Sequence, residues 1–320
     1  MTAFGSIELF ALNASKEIGE RISDALEVPL SQHEEREFED GEHKARPLAT
    51  VRGRDAYVVQ SLYGDDHASV NDKLCRLLFF IGALRDAGAA RVTAITPYLC
   101  YARKDQKSKF QDPVTTRYVA SLFEAVGTDQ VITMDVHNRA AFQNAFRCHT
   151  DLIHADPLFV DYFGEAMRNS NVVLVSPDMG GVKRAASLGQ ALAPHLPEPA
   201  GMAVMEKYRS EGVVSGTTLA GNVRDKVAII MDDIIGTGTT VSRAVTACQE
   251  QGAKAIYVAA THGLFLPGCE QILANDAILK VVVTDTVPPF RLAGTKVADK
   301  VELLSSAPLF ADVISGMHSA

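Results

Sequence analysis

The sequence predicts an α/β protein with mostly parallel strands, organised as two related domains. Short apolar runs alternate with amphipathic segments, a pattern typical of buried parallel strands that are joined by helices. The layout of ALRDAGAARVTAITPY (83–98) reappears in ACQEQGAKAIYVAATH (247–262), each time as a helix end, Gly-Ala and a buried strand. At 320 residues and 47% hydrophobic composition, the chain is long enough for two domains with substantial cores.

The predicted strands follow one another along the whole chain. In order they are IELFAL, DAYVVQS, RVTAITPY, QVITMDVH, NVVLVSPD, GMAVMEKY, KVAIIMDD, KAIYVAATH and LKVVVTD. Residues 227–231 illustrate the reasoning, because this run is too short and too β-branched for a helix. Helical apolar spacing follows in PLFVDYFGEAM, VKRAASLGQAL, TTVSRAVTACQEQG and APLFADVISGM. Each sheet is therefore expected to be flanked by helices.

The internal repeat predicts an N-terminal domain at residues 1–152 and a C-terminal domain at 153–299. The boundary is expected where FRCHTDLIHADP interrupts the periodic pattern. The prolines of APHLPEP are interpreted as a loop inside the second domain. Residues 300–320 contain the last helical pattern and are expected to pack back onto the N-terminal domain.

Composition excludes several classes of partner. The formal net charge is -8 and the isoelectric point is near 5.6, which argues against nucleic acid or an anionic membrane surface as the main partner. No window approaches the roughly 20 apolar residues of a membrane span, and the N-terminus lacks a secretory pattern. The five cysteines are odd in number and form no CxxC pair. A cytoplasmic protein that acts on small molecules is expected.

The segment KVAIIMDDIIGTGTT (226–240) carries the strongest chemical signal. Asp232 and Asp233 follow the apolar strand and can accept hydrogen bonds from the vicinal hydroxyls of a sugar. The next loop offers backbone N–H groups, hydroxyl donors and a helix N-terminus to a phosphate; its residues are Gly236, Thr237, Gly238, Thr239 and Thr240. A plain strand-to-helix turn with a threonine N-cap is the alternative. The acid pair favours a phosphorylated sugar as ligand.

The run DDIIGTGTT resembles the ribose-phosphate loop of phosphoribosyltransferases and of the related ribose-phosphate pyrophosphokinases. It is neither a Walker loop nor a GxGxxG turn. The resemblance implies two tandem type I phosphoribosyltransferase-like domains, of which only the second retains the sugar-phosphate site. One departure concerns Gly236, where bacterial pyrophosphokinases usually carry a third Asp (DDMIDTGGT).

The polar segment EEREFEDGEHKAR (34–46) places an aromatic residue among acids. Phe38 can stack on a purine while Asp40 and Glu42 accept hydrogen bonds from its amine, although an ordinary Asp-Gly turn explains the residues equally well. The stretch is similar to the adenine-binding Phe-Pro-Asp-Gly-Glu of the pyrophosphokinases. Glu39 stands in place of the proline.

Two further strands of the first half end in polar residues. PYLCYARKDQK resembles the family's PYxxYARxD, which implies nucleotide contacts for Arg103 and Lys104; a solvated basic loop is the alternative. QVITMDVHN ends with His137, for which a purely structural role is the alternative. The resemblance implies that His137 contacts the triphosphate and its Mg²⁺.

The second half carries two more motifs of this kind. SPDMGG resembles the family's SPDxGG, so Asp178 is implied to bind Mg²⁺, whereas the residues alone also fit a strand-turn-helix connection. Lys207 and Arg209 match a mobile Lys-x-Arg loop that would neutralise the transferring phosphoryl group. An exposed hairpin is the alternative for this segment.

The resemblance as a whole implies a ribose-phosphate diphosphokinase with Mg²⁺ as cofactor. Such an enzyme transfers the β,γ-diphosphoryl group of ATP to the 1-hydroxyl of ribose 5-phosphate and releases AMP. It further implies a homo-oligomer, with no nucleic-acid or membrane partner. A phosphoribosyltransferase and a non-catalytic regulatory homologue of the same family are the two alternatives.

Overall fold

The computed structural model describes residues 5–210 and 213–319, and the chain forms two compact units. The first comprises Met1–His154 together with Ser306–Ala320, and the second comprises Ala155–Ser305. Their division thus falls within a few residues of the interrupted pattern in FRCHTDLIHADP. The α/β architecture with mostly parallel sheets that the sequence predicts is confirmed.

The first unit is built around a parallel sheet of five strands. Its elements are β1 (Ile7–Ala11), α1 (Lys16–Leu26), β2 (His33–Glu37), β3 (His43–Pro47), β4 (Asp55–Val59), α2 (Val70–Asp86), β5 (Arg91–Thr96), α3 (Thr115–Ala125), β6 (Gln130–Met134), α4 (Arg139–Ala145) and β7 (His149–Ile153). The sheet order is β1-β4-β5-β6-β7, and β2 and β3 form a separate antiparallel ribbon.

Burial explains why the central strands of the first unit read as continuous apolar runs. Every residue of β4 and β6 is buried, as expected for parallel strands covered on both faces. The core joins these strands to α2 and α3 through side chains such as Phe80, Leu84 and Phe123. The carboxyl ends of the strands are thereby fixed on one edge of the sheet.

The second unit contains a sheet of seven strands. Its elements are α5 (Asp156–Ala166), β8 (Val172–Ser176), α6 (Val182–Leu192), β9 (Gly201–Ser210), β10 (Val213–Ala220), β11 (Val227–Ile235), α7 (Thr239–Glu250), β12 (Ala255–Gly263), α8 (Cys269–Leu273), β13 (Ile278–Thr284) and β14 (Val301–Leu304). The order is β10-β9-β8-β11-β12-β13-β14. Only the β9–β10 pair is antiparallel among these described strands.

The strand order of the second unit reverses between β8 and β11. From β8 the chain continues to β9 on one side, and it later returns to β11 on the other side. In open α/β sheets, ligands bind outside the carboxyl ends of the strands at such a switch point. Residues that follow β8 and β11 are therefore the first candidates for a site.

The C-terminal segment is divided between the two units. β14 is an edge strand of the second unit's sheet, whereas α9 (Ala307–Ser319) packs against α1 in the first unit and buries Phe310 and Ile314. Residues 300–305 thus differ from the expectation that the whole of 300–320 packs on the N-terminal domain, because β14 pairs with β13. Within the described part of the chain, no helix has the length and apolarity needed to span a membrane.

Candidate active site

Two aspartates lie at the carboxyl end of β11, beside the switch point. The predicted strand KVAIIMDD ends at Asp233, but β11 continues to Ile235 because its pairing with β12 extends that far. Its pairing with β8 ends earlier, at Ile230 and Val175. The two acids therefore belong to the strand itself and lie past the end of β8. Asp233 is only 5% exposed, and its N–H donates to Oδ1 of Asp232 over 2.8 Å.

Arg184 of α6 is a member of this site that the sequence analysis does not identify. Its Nη1 lies 3.7 Å from Oδ1 of Asp233, and both side chains are mostly buried. Burial, reinforced by the neighbouring Asp233, raises the pKa of Asp232, and Arg184 partly offsets the effect. The available sequence signal was a cation early in the helix after SPDMGG, but only the fold brings it to the acid pair.

The loop between β11 and α7 provides an open helix N-terminus. Gly238 is the N-cap with φ +78°, and none of the described side chains caps α7 or adds an acid to its first turn. The first N–H groups of a helix have no intrahelical partner, so here they remain available to an anion. The Oγ1 atoms of Thr237 and Thr239 lie 3.0 Å apart on the exposed side of the loop. This geometry suits a phosphate group.

Gly238 is expected to be the less replaceable of the two loop glycines. A Cβ atom there would lie 3.1 Å from Sγ of Cys269, and a left-handed φ costs a non-glycine residue about 1–2 kcal/mol. We expect Gly238→Ala to lower the Tm by about 2–8 °C. Gly236→Ala is the matched control, because a Cβ atom there would meet only Leu266 Cδ1, at 3.9 Å. Equal losses in a thermal melt of the two variants would contradict this expectation.

Asp178 lies in the turn that joins β8 to α6. Its Oδ1 accepts a 3.0 Å hydrogen bond from Gly181 N, and its carbonyl accepts one of 2.6 Å from Ser176 Oγ. One carboxylate oxygen thus stabilises the turn, as expected if these residues serve only as a strand-turn-helix connection. A carboxylate at the carboxyl end of β8 is nevertheless on the ligand edge of the sheet.

In the first unit, Phe38, Asp40 and Glu42 form the tip of the β2–β3 ribbon. Phe38 N donates to Glu42 O over 2.8 Å, and Glu42 N donates to Asp40 Oδ1 over 3.0 Å, while Gly41 has φ +86°. The hairpin-turn alternative is therefore present in the structure. Phe38 is 39% exposed, and the Arg36 guanidinium lies over its ring at 4.9 Å from the centroid. The exposed part of this side chain is accessible to a stacking purine.

Arg103, Lys104 and His137 are all exposed, and they follow β5 and β6 at the carboxyl edge of the first sheet. A 2.7 Å hydrogen bond from Asn138 Nδ2 to Asp105 Oδ2 joins the two segments.

The backbone near these residues is strained. Tyr101 and Asp135 have φ of +58° and +34°, unusual values for non-glycine residues. Backbone strain of this kind often accompanies functional sites, and the sequence alone gives no sign of it.

Comparison with known proteins identifies the family. A model described as the N-terminal domain of ribose phosphate pyrophosphokinase matches residues 7–127, and one described as the phosphoribosyl synthetase-associated domain matches residues 200–319. Ribose-phosphate pyrophosphokinase 1 of Streptococcus agalactiae serotype III (strain NEM316) is 33% identical over 320 residues, which cover 99% of this chain and 95% of that protein. The ribose-phosphate pyrophosphokinase of Clostridium tetani (strain Massachusetts / E88) is 36% identical over 316 residues, or 98% and 94% of the two chains. The chain belongs to the ribose-phosphate pyrophosphokinase family.

A solved structure agrees with this membership in the pyrophosphokinase family. The crystal structure of phosphoribosylpyrophosphate synthetase from Mycobacterium smegmatis matches with a TM-score of 0.89 and 33% sequence identity, covering 98% of this chain and 99% of that one. The family predicted from the motifs is thereby confirmed, and so is the fold class.

Among the described residues, the two units of this pyrophosphokinase family member differ at the helix N-terminus that follows the second strand of each repeat. The order of elements around β1, β4 and α2 in the first unit repeats the order around β8, β11 and α7 in the second. At α2, however, Ser69 and Asp72 form a capping box. Asp65 also accepts the N–H groups of His67 and Ala68 and pairs with Lys73. The chain's own side chains therefore occupy the donors that a phosphate would use.

Lys207 and Arg209 lie in β9, where their backbones pair with Thr217 and Val214 of β10. Their side chains fall outside the part of the chain that the structure describes. The roles that the pyrophosphokinase motif implies for them remain predictions.

Proposed function

We propose that this protein transfers the β,γ-diphosphoryl group of ATP to the 1-hydroxyl of ribose 5-phosphate, yielding phosphoribosyl pyrophosphate and AMP. The observation that carries the proposal is the pairing of a buried acid pair with an uncapped helix N-terminus at the switch point of the second unit. A sugar-phosphate site alone fits an enzyme that makes phosphoribosyl pyrophosphate and one that consumes it. Membership in the pyrophosphokinase family favours the enzyme that makes it.

The ribose 5-phosphate would bind in the second unit. Asp232 and Asp233 would accept hydrogen bonds from the ribose hydroxyls, and Arg184 would hold Asp233 in place. The phosphate would bind the N–H groups and hydroxyls of residues 236–240, with the helix dipole of α7 favouring its charge. The 1-hydroxyl would then be fixed in position for attack on the β-phosphorus of ATP.

The nucleotide would bind to the motifs of the first unit. Phe38 would stack on the adenine, with Asp40 and Glu42 accepting hydrogen bonds from the exocyclic amine. Arg103 and Lys104 would contact the phosphates. Their exposure and the link between the β5 and β6 loops support this role.

We propose Mg²⁺ as the cofactor, with His137 and Asp178 as protein ligands. No group of three His, Cys, Asp or Glu side chains in the described ranges is arranged to hold a metal ion. Asp178 offers the carboxylate oxygen that Mg²⁺ prefers, and this ion commonly completes its shell with water and substrate phosphates. When bound, the ion neutralises charge on the phosphates.

Lys207 and Arg209 would stabilise the charge that develops on the transferred group. Phosphoryl transfer depends mainly on positioning and electrostatics. The two cations would therefore act through their charge and would form no covalent bond with the transferred group.

A cytoplasmic homo-oligomer is part of the proposal. Exposed apolar side chains on α2 and α3 support association: Phe79 is 61% exposed, Tyr118 57% and Leu122 48%. Light scattering of the purified protein would measure the oligomeric state directly.

The test of the proposed activity is the formation of AMP from ATP, followed by ³¹P NMR with and without ribose 5-phosphate. We expect AMP and phosphoribosyl pyrophosphate in equal amounts, with neither formed when the sugar is omitted. AMP formed without the sugar would overturn the proposal. Release of pyrophosphate from phosphoribosyl pyrophosphate and a nucleobase would identify a phosphoribosyltransferase instead. Nucleotide binding without turnover would identify the non-catalytic homologue.

Gly236→Asp tests the position at which DDIIGTGTT departs from the family motif that it resembles. The structure has room for the side chain, since only Leu266 Cδ1 approaches an added Cβ, at 3.9 Å. A carboxylate there adds a hard oxygen ligand beside the phosphates, so we expect the variant to reach half-maximal activity at a lower Mg²⁺ concentration, by roughly threefold or more. Titrations with Mg²⁺ and Mn²⁺ measure this, and Gly236→Asn controls for size. Identical metal titrations for wild type and Gly236→Asp would show that the position has no role in metal binding.

A further inference from the structure

The segment that follows β12 is hydrogen-bonded to the start of the proposed phosphate loop. β11 and β12 pair as far as Ile235 and Gly263. Beyond that point, the first two N–H groups of segment 264–266 donate to Ile235 O and the third donates to Gly236 O, each over 3.0 Å. Three backbone hydrogen bonds therefore join segment 264–266 to the residues that lead into loop 236–240.

The two glycines of the loop also lie against this part of the chain. A Cβ atom on Gly236 would meet Leu266 Cδ1 at 3.9 Å, and one on Gly238 would meet Cys269 Sγ at 3.1 Å. Cys269 N donates to Leu266 O over 3.0 Å, so both contacts belong to one continuous stretch of backbone. Glycine restricts its own backbone only weakly. The position of the loop therefore depends on the stretch that it contacts.

Segment 264–266 has a conformation that its surroundings must enforce. Phe265 has a left-handed φ of +44°, which is unfavourable for a side chain of this size and persists only where neighbouring contacts hold it. Its side chain is 1% exposed and packs over Gly263, where an added Cβ atom would lie 2.4 Å from the ring. This packing holds the segment from the side of the core.

Arg291 holds the same segment through its backbone. It belongs to the short 3-10 helix Phe290–Leu292, and its Nη1 donates to Leu264 O over 2.9 Å. The guanidinium carbon also lies 4.4 Å from the centroid of the Phe290 ring. Hydrogen bonds from charged donors are roughly twice as strong as neutral ones, so this contact restrains the carbonyl of Leu264 effectively.

We propose that Arg291 is a positioning residue for the binding of ribose 5-phosphate. Its hydrogen bond to Leu264 O fixes segment 264–266, and the three hydrogen bonds from this segment fix the start of loop 236–240. The phosphate would then meet N–H groups that are already in place, which lowers the cost of ordering the loop on binding. The inference rests on the proposed function, because that function makes the loop a phosphate site.

The first test needs no ligand. Hydrogen exchange of the amides of segment 264–266 is measured by mass spectrometry on the full-length protein. We expect Arg291→Leu to speed this exchange by at least about tenfold, as the loss of a hydrogen bond from a charged group predicts. Arg291→Lys keeps a charged donor of similar reach and should stay within about threefold of wild type. Arg168→Leu, at an exposed position that precedes β8, is the matched control and should leave the exchange unchanged.

The second test measures the affinity of the same proteins for ribose 5-phosphate and, separately, for ATP by calorimetric titration. We expect Arg291→Leu to raise the Kd for ribose 5-phosphate by about 3- to 30-fold, the range usual for residues that act on a site through others. The Kd for ATP should stay unchanged, and Arg291→Lys should restore the affinity for the sugar phosphate. If Arg291→Leu fails to fold, Arg291→Gln takes its place with the same expected results.

The other outcomes separate this inference from the proposed function. Faster exchange with an unchanged Kd for ribose 5-phosphate would overturn the positioning role. A raised Kd without faster exchange would overturn it as well, since Arg291 would then act on the ligand directly. An equal loss of affinity for ATP would show a general loss of stability and would contradict the proposal. Wild-type protein that binds no ribose 5-phosphate would overturn the proposed function, and this inference with it.

Discussion

Replacing Asp232 by Asn is expected to weaken ribose 5-phosphate binding and, at the same time, to stabilise the folded protein above neutral pH. Loss of a charged hydrogen bond to a sugar hydroxyl costs about 1.5–3 kcal/mol, so the KM for ribose 5-phosphate should rise by about 10- to 100-fold. The stabilisation follows from the acid pair itself. Two carboxylates share a buried strand end, and Arg184 contacts only Asp233 among the described ion pairs of this site.

The direction of the pH dependence follows from the raised pKa of Asp232, caused by burial and by Asp233. In the unfolded chain this carboxyl ionises near its ordinary value of about 3.9. The folded protein holds the proton to higher pH, so it binds more protons than the unfolded chain in this window, and its stability falls as the pH rises. Below about pH 4, Asp232 is protonated in both the folded and the unfolded state, so the free-energy cost of ionising it in the folded protein disappears. Asparagine removes the cost at every pH.

Melting curves of wild type and Asp232→Asn at about pH 5 and about pH 8 measure this effect. One pKa unit corresponds to about 1.4 kcal/mol, so the variant should melt at least about 3 °C above wild type at the higher pH. The difference should be smaller at the lower pH. Asp276→Asn, an identical change at an exposed position of the same unit, should leave the Tm unchanged. A gain in Tm that does not depend on pH would contradict the interpretation.

The strands that the sequence predicts are the buried ones. All nine predicted runs appear as strands, because covered parallel strands consist of continuous apolar residues. The strands absent from the predicted runs are β2, β3, β7, β10 and β14, of which β10 was open only through the hairpin alternative for Lys207 and Arg209. They lie in the exposed ribbon or at sheet edges, where half of each strand faces water and apolar periodicity is weak. β2, for example, reads HEERE, and pairing with β3 rather than composition makes it a strand.

The candidate site could be predicted where its residues are adjacent in sequence. Gly238 and the threonines that follow β11 are adjacent, so the strand-loop-helix pattern suffices to predict the helix N-terminus found there, while the phosphate-binding role of this loop stays a prediction. Arg184 and Asp233 are far apart in the chain, and only the packing of α6 beside β11 brings their charges together. The capping of α2 was likewise hidden, because Ser69 and Asp72 look like ordinary loop residues until their hydrogen bonds are seen.

Lys207→Ala is expected to lower kcat by at least about 100-fold, the usual cost of removing one preorganised charge donor. The effect should fall on kcat and leave the KM for ribose 5-phosphate nearly unchanged, because in the proposed mechanism residues 236–240, and not Lys207, bind the sugar phosphate. The fold should tolerate the change, since Lys207 pairs with Thr217 through its backbone and alanine preserves that pairing.

Steady-state kinetics with ribose 5-phosphate and ATP varied in turn would separate the two parameters. Lys254→Ala removes the same charge from an exposed position of the second unit and should keep at least about half of the wild-type turnover. A residue that acts only on the transferred group must lower kcat by the same factor whichever of the two substrates is varied. If Lys207→Ala raised the KM and spared kcat, Lys207 would instead be a binding residue for the ground state, and Arg209 would be left as the candidate for stabilising the transition state.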